Sequence, residues 1–377
     1  MSTFSVKLTR IRAIEPIANA DAIELAVVGD YRSVVRKEDF SVDELVVYVP
    51  EASIVPDYML KSMGLEGRLA GADKNRVKAV KLRGCLSQGL CYPVRQLKST
   101  TAAIIYNEHG DTIVAKEGEN VAELLGVKKW EPQIPQQFAG ELYSAQEFTV
   151  HYDIENFKAF PDILVPGEEV VMTEKLHGSF CGVGVLPSRD ASDKHWHGQI
   201  VVFSKGLGAR GLCLLSTERN HSNTYIRALM LNNLFDNLIA VARTVNSDVG
   251  PVFFLGEVFG PGVQDLRYGN KLSYRVFDIC MGRRGTQKYL SYEEMKRTCT
   301  VFGFDMVPEI YRGPFSAEIM KQHTDGKETL SGSGLHIREG VVIKPVVERE
   351  HHELGRVILK SVSGDYLTRK GETTEFQ

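Results

Sequence analysis

The chain lacks any CxxC pair. Its six cysteines, Cys85, Cys91, Cys181, Cys213, Cys280 and Cys299, stand apart. That excludes a zinc knuckle or a dithiol redox motif and fits thiols buried in a reducing cell interior. No stretch approaches the roughly 20 apolar residues that cross a bilayer, and the N-terminus has no apolar core of the secretory kind. The expected setting is the cytoplasm, with no membrane partner. Excess positive charge is also missing: the net charge is −3 and the pI about 6.4. A nucleic-acid binder is usually basic overall, so any such binding has to come from a local groove. Internal repeats and low-complexity tracts are absent as well.

Present instead is the ordinary mix of a globular protein, 43% hydrophobic and 25% charged over 377 residues, enough for two domains. Gly, at 34 residues, favours a turn-rich, β-heavy architecture. The first hundred residues read as short strands: Phe4–Ile14, Ile23–Val35 around a Gly29-Asp30 turn, Glu44–Val49 and Val77–Leu82, with a short helix around Pro56–Met63. That spacing predicts a small all-β barrel or sandwich. Pro132, Pro135 and Gly140 lie in an apolar-poor stretch, which places a boundary near residue 145. The expected domains are therefore 1–145 and 146–377.

The second domain reads as α+β, with two antiparallel sheets and helices outside. Its strands are Glu168–Thr173, Gln199–Ser204, Val252–Phe259, Leu272–Ile279, Gly340–Pro345 and Val357–Val362. One helical face runs through Ser222–Val245. Ser291 with Glu294 reads as a capping box opening a second helix, and Ser316–Thr324 as a third. His195-Trp196-His197, in a polar insertion, reads as a hairpin tip, and His351-His352 as a solvated turn. Lys205–Gly211 (KGLGARG) reads as a flexible turn.

The chemistry-bearing residues stand at strand margins. Glu174-Lys175-Leu176-His177-Gly178-Ser179 closes an apolar strand. A lysine followed within three residues by Gly can floor a pocket where backbone approaches a ligand. Ser204-Lys205-Gly206 follows the next strand. Glu257 lies in GEVFG, and Phe277-Asp278 in SYRVFDI. Glu339 and Lys344 bracket a short strand, and Lys360 ends RVILK. Each has a plain structural reading: Glu257 as a turn acid, Phe277 as core, Lys344 as a strand-edge lysine. The ordered set is specific where each member is not.

This ordered set resembles the covalent nucleotidyltransferases: DNA ligases, RNA ligases and mRNA-capping enzymes. His177 in K-x-H-G is similar to one branch of the RNA ligases, where DNA ligases and capping enzymes usually carry Asp. Little chain follows Lys360, and the extra domain lies upstream. That layout resembles RNA ligases with an N-terminal OB-like module, whose pattern Arg83–Leu90 also echoes. The fold implied is an antiparallel-sheet nucleotidyltransferase domain preceded by an OB-like barrel.

The resemblance implies an ATP-dependent RNA ligase acting through lysyl-AMP, with Mg²⁺ or Mn²⁺. It implies Lys175 as nucleophile, with Lys344 and Lys360 supplying a positive field that favours its neutral amine. At pH 7 only roughly 0.04% of a free lysine is neutral. Glu257 is implied at the ribose, and Lys205 at the ribose or phosphate side. Phe277 is implied on the adenine face, and the backbone of Glu174, Leu176 and Gly178 around the nucleotide. Glu339, with Asp278 and Glu257, is implied at the metal through its water shell. Many relatives have K-x-K in the last motif; here Val362 replaces the second lysine, so Lys360 serves alone or Arg356 substitutes. His177 either shapes the loop after Lys175 or touches the 3'-OH strand. The implied partner is RNA or a nicked RNA/DNA duplex, bound by a monomer, with the N-terminal module as clamp. A DNA ligase, a capping guanylyltransferase and a non-catalytic RNA-binding protein are the alternatives. Nucleotide choice, sugar preference at the break and adduct formation discriminate them.

Overall fold

The computed structural model describes residues 4–97, 101–131, 136–186, 200–244 and 250–369. The chain divides into two compact units: Ser2–Glu131 with Lys158–Pro161, and Pro132–Phe157 with Asp162–Gln377. The chain thus first changes unit after Glu131, upstream of residue 145.

In the N-terminal unit, Lys7–Arg10, Leu45–Val49 and Leu90–Pro93 form one sheet, and Ala13–Pro16, Ile23–Val28 and Tyr31–Arg36 a second. The Gly29-Asp30 turn sits where the sequence places it, with Val28 opposite Tyr31 and Gly29 at φ 56°. A two-residue hairpin turn takes positive φ where its twist must match the strands. The helix Asp57–Met63 starts after Pro56 and stops on left-handed Gly64, the usual terminator. The VKAVKL alternation yields a strand only over Val80–Leu82. That strand is exposed at every position, whereas Val77 is buried. Alternation there defines no single buried face, so it does not extend the strand.

The second unit holds two large sheets and one small hairpin. The five-stranded one runs Glu155–Asn156, Leu359–Val362, Gly340–Pro345, Glu169–Lys175, Glu309–Pro314 in spatial order. The seven-stranded one runs Leu142–Ser144, Leu212–Leu214, Ile200–Phe203, Ser179–Val185, Val252–Phe259, Ser273–Met281, Lys288–Tyr289. The pairings are antiparallel except that Glu155–Asn156 runs parallel to Leu359–Val362. Ser179–Val185 is buried along its whole length. The principal core takes Val171 from the five-stranded sheet, Ile358 just ahead of Leu359–Val362, and Phe180, Val183 and Leu255 from the seven-stranded sheet. Each strand predicted for this unit is present, its ends matching or shifted by a residue or two, as apolar runs mark strand centres better than strand ends.

Two predictions are corrected. The single helix over Ser222–Val245 is two helices, Thr224–Leu231 and Leu234–Thr244, with Val245 outside the described residues. Asn233 takes φ 56° at the break, and the Asn232 amide donates to Ala228 O (2.7 Å) and Leu272 O (3.1 Å). Asn tolerates the left-handed region because its side chain can serve the local backbone. The apolar periodicity continues across the break and hides it. KGLGARG opens as a helix, Lys205–Ala209, because Ser204 accepts a bond from Leu207 N–H as its N-cap. His195-Trp196-His197 lies outside the described residues, while Glu350–His351 pairs with Gly355–Arg356 in a small hairpin. All six cysteines are free thiols, five of them buried. No helix among the described residues is long and apolar enough to cross a membrane.

The capping box at Ser291 is complete: its hydroxyl accepts from Glu294 N–H while the Glu294 carboxylate accepts from Ser291 N–H. Ser291→Ala removes that cap from Tyr292–Phe302 and is expected to cost about 1 kcal/mol. Denaturant melting checks this, and an unchanged midpoint contradicts it.

Candidate active site

Strand register builds the site. In the five-stranded sheet Lys175 lies opposite Gly340, and Gly340 opposite Val362. Further along, Thr173 faces Val342 and Val342 faces Lys360, while Val171 faces Lys344. Directly opposed residues share a face, as do residues two apart on one strand. Lys175, Lys344 and Lys360 therefore project from one face, although up to 185 positions separate them in sequence. Gly340 permits this packing: at φ 154°, a Cβ there would lie 2.0 Å from Ser361 O.

The Lys175 ammonium donates to Glu339 Oε1. Glu339 is 2% exposed, and His177 Nδ1 lies 3.7 Å from its other oxygen. Burial alone would raise the Glu339 pKa. Lys175 and His177 outweigh that and bring it from 4.5 to about 2. The sequence surrounds Lys175 with cations; the structure puts a carboxylate against it. Lys344, 4% exposed, instead donates to Asp278 Oδ1 at 3.3 Å.

Asp278 is the centre of a second ion cluster. It has no solvent exposure and accepts from Tyr152 Oη (2.9 Å), Lys344 and both terminal nitrogens of Arg356 (2.5 and 3.2 Å). Burial pushes its pKa up, but Arg356 and Lys344 hold it below the ordinary value. Arg356 also grips Glu348 (2.7 and 2.6 Å) and lies 3.7 Å over the Tyr289 ring. Arg356 is thus committed to carboxylates, and both Asp278 oxygens are engaged.

Glu257 sits opposite Phe180 in the seven-stranded sheet. The loop after Lys175 packs on it: a Cβ at Gly178 would meet Val258 O at 2.3 Å and Glu257 Cγ at 2.8 Å. Phe277 is the extra residue of a β-bulge, since Gly256 pairs Val276 while Leu255 pairs Asp278. Bulges re-aim side chains beside functional sites. Phe277 ends half-buried, its ring 5.5 Å from Tyr152 and 6.0 Å from Phe180. Lys205 pairs with Asp153 at 2.9 Å, both partly exposed.

Leu176 is buried with Phe259, Tyr268 and Val307. Glu174 N–H donates to Pro308 O (2.8 Å). Its carboxylate takes Thr329 N–H (2.8 Å) and Oγ–H (2.5 Å), and its other oxygen has no partner among the described residues. Burial raises its pKa against those bonds. Tyr152, Asp265, Tyr268, Tyr366 and Arg369 escape a sequence reading because none stands in a strand-end motif. Tyr268 Oη accepts His177 N–H at 2.6 Å.

Among the described residues no three His, Cys, Asp or Glu side chains converge to ligate a metal directly. Glu339 fits the other arrangement, one hard oxygen donor holding an ion that keeps most of its waters, as suits Mg²⁺.

Two antiparallel sheets with a lysine at the end of an inner strand and further lysines on the same face define a nucleotidyltransferase type of fold. A model of the RNA ligase family matches residues 168–362, and the chain belongs to that family. An OB-fold domain model matches residues 5–94. A search of curated proteins returned no match. Solved structures of Naegleria gruberi RNA ligase are similar over nearly the whole chain. A variant with ATP and Mn has TM-score 0.72 at 23% identity, covering 97% of this chain and 98% of that one. The enzyme with PPi has TM-score 0.71 at 24% identity, covering 96% and 97%. A variant with AMP and Mn has TM-score 0.70 at 23% identity, again covering 96% and 97%.

Asp278→Ala leaves Arg356 and Lys344 buried without their shared carboxylate and is expected to destabilise by about 3–5 kcal/mol. Thermal melting reads the loss; a drop below about 1 kcal/mol contradicts the assignment. Because the Glu339 pKa is depressed, its pairing stabilises fully above pH 4.5 and is lost as pH falls towards about 2. The stability difference between wild type and Lys175→Met should shrink over that window. A constant difference between pH 6 and pH 2, estimated from unfolding curves at about those values, counts against the pairing.

Proposed function

We propose that the chain is an ATP-dependent RNA ligase that joins a 3'-OH RNA end to a 5'-phosphate, at nicks in duplexes, and works as a monomer. The observation that carries this reading is Lys175 at a strand end, paired with buried Glu339 and sharing a sheet face with Lys344 and Lys360. Family membership and the ATP, AMP and manganese complexes of the Naegleria gruberi enzyme support it.

In the first step the Lys175 amine attacks the α-phosphorus of ATP. The P–N bond forms, the bond to the bridging oxygen breaks, and pyrophosphate leaves. AMP then passes to the 5'-phosphate, and the 3'-hydroxyl displaces it with formation of the phosphodiester. Lys360 and Lys344 meet the negative charge that gathers on the α-phosphate. Glu257 receives the ribose hydroxyls, with Lys205 at the ribose or phosphate side. Phe277, aimed by its bulge and backed by Tyr152 and Phe180, stacks on the adenine. A divalent ion supplies positive charge at the phosphates. Glu339 is the residue that would hold such an ion, and the Lys175 ammonium that it pairs must lose its proton before the amine can attack. Asp278 serves this site by fixing Lys344. The N-terminal unit clamps the duplex beside the break.

Incubation with α-labelled ATP and manganese should leave covalent label on the wild type and none on Lys175→Ala. Nicked duplexes differing only in the sugars at the break test the substrate. Sealing is expected with a ribose 3' end and lost with a deoxyribose 3' end. Equal sealing of both favours a DNA-ligase reading and overturns this one.

A further inference from the structure

His177 stands two residues beyond Lys175, is 2% exposed, and has both ring nitrogens partnered. Nε2 meets Asp265 Oδ1 at 2.6 Å and Nδ1 meets Tyr366 Oη at 2.6 Å. A carboxylate only accepts, so Nε2 carries the proton. Nδ1 shares a hydrogen bond with the Tyr366 hydroxyl, and either of the two can supply the proton. Arg369 joins the two partners to each other. Its guanidinium donates to both Asp265 oxygens (3.0 and 3.3 Å) and lies 3.9 Å over the Tyr366 ring. The four side chains close a ring drawn from three segments: the turn after the nucleophile strand, the loop after Val252–Phe259, and the helical turn Gly364–Leu367 with its following residues.

The same helical turn reaches the carboxylate side of the site. Ser363 N–H donates to Glu339 O at 2.9 Å, and the Ser363 hydroxyl donates to Asp325 Oδ1 at 2.7 Å. Residues in and beside one short helix thus hold both the His177 ring and the Glu339 backbone, and the Glu339 carboxylate pairs with the Lys175 amine and lies 3.7 Å from His177 Nδ1. A ring fixed at both nitrogens cannot rotate, and Tyr268 fixes its backbone as well. The turn that follows Lys175 is therefore pinned at both ring and backbone while this contact is closed.

We propose that Tyr366, Asp265 and Arg369 are positioning residues. They form a clasp that acts through His177 to hold the turn after Lys175, and so set the position beside Glu339 from which the Lys175 amine attacks the nucleotide. The proposal rests on the ligase reading above. Positioning errors of an ångström typically cost up to roughly 100-fold in rate. They do not weaken binding of a nucleotide whose own contacts are elsewhere.

The test is single-turnover formation of the covalent AMP adduct by the full chain, from α-labelled ATP with manganese. It uses Tyr366→Phe, Asp265→Asn, the double variant and His177→Ala, with melting curves alongside. Each single change should lower the maximal adduct rate by roughly tenfold or more, with half-saturating ATP held within about twofold. The double variant should lose no more than His177→Ala, since both changes act through one ring. Wild-type rates in the singles overturn the clasp and leave the ligase reading standing, as does a double variant whose losses multiply beyond His177→Ala. Absence of adduct on the wild type overturns both readings. If Tyr366→Phe melts below the assay temperature, Asp265→Asn decides the question, because Asp265 is 31% exposed and tolerates change better.

Discussion

One ion pair, the Lys175 ammonium against the Glu339 carboxylate, carries the organisation of this site. A lone carboxylate with 2% exposure would be neutral or absent. It stays ionised because a lysine from the adjacent strand meets it and an imidazole lies close by. The pair exists only in one register of Glu169–Lys175 against Gly340–Pro345. A slip of one residue would send Lys175 to the opposite face from Lys344 and Lys360. Sheet pairing and chemistry are therefore the same constraint. The tight seat of Gly340 against Ser361 O fixes the neighbouring pairing, of Gly340–Pro345 with Leu359–Val362, which carries Lys360.

The neighbouring cluster follows similar logic with a different purpose. Asp278 and Glu348 offer two negative charges, and Lys344 and Arg356 two positive ones, linked in a chain that runs from buried Lys344 and Asp278 through Arg356 to the partly exposed Glu348. Removing Asp278 strands Lys344, and removing Arg356 strands Glu348, so the two central members make the cluster a rigid mount. Lys344 is held on that mount rather than left to find its own rotamer, so its charge is pre-oriented at little entropic cost. The bulge at Phe277 completes the arrangement by turning the ring and its neighbour Asp278 in useful directions from consecutive positions.

Much of this was legible in the sequence, for a physical reason. Strands that bury both faces read as apolar runs, and a polar residue ending such a run stands out: Lys175, Glu257, Glu339, Lys344 and Lys360 were visible in that way. The capping box at Ser291 and the Gly29 turn were visible because their chemistry is local. What stayed hidden was pairing across the chain. Tyr152 finds Asp278 from 126 positions away, and Tyr366 finds His177 from 189; no short window contains both partners. The sequence also supplied only cations around Lys175, since the identity of its carboxylate neighbour depends on which strands lie side by side. The break at Asn232-Asn233 was concealed because the two flanking helices bury the same kind of face on either side of it.

The proposed chemistry requires the amine of residue 175 to be the group that takes the nucleotide. Peptide mass spectrometry of the protein after incubation with ATP and manganese addresses that amine directly. The expected result is a gain of one AMP confined to the peptide bearing Lys175, through a bond that survives at alkaline pH and breaks in acid, as a phosphoramidate does. AMP on Lys344, Lys360 or Lys205 instead, or on no lysine at all, contradicts the account.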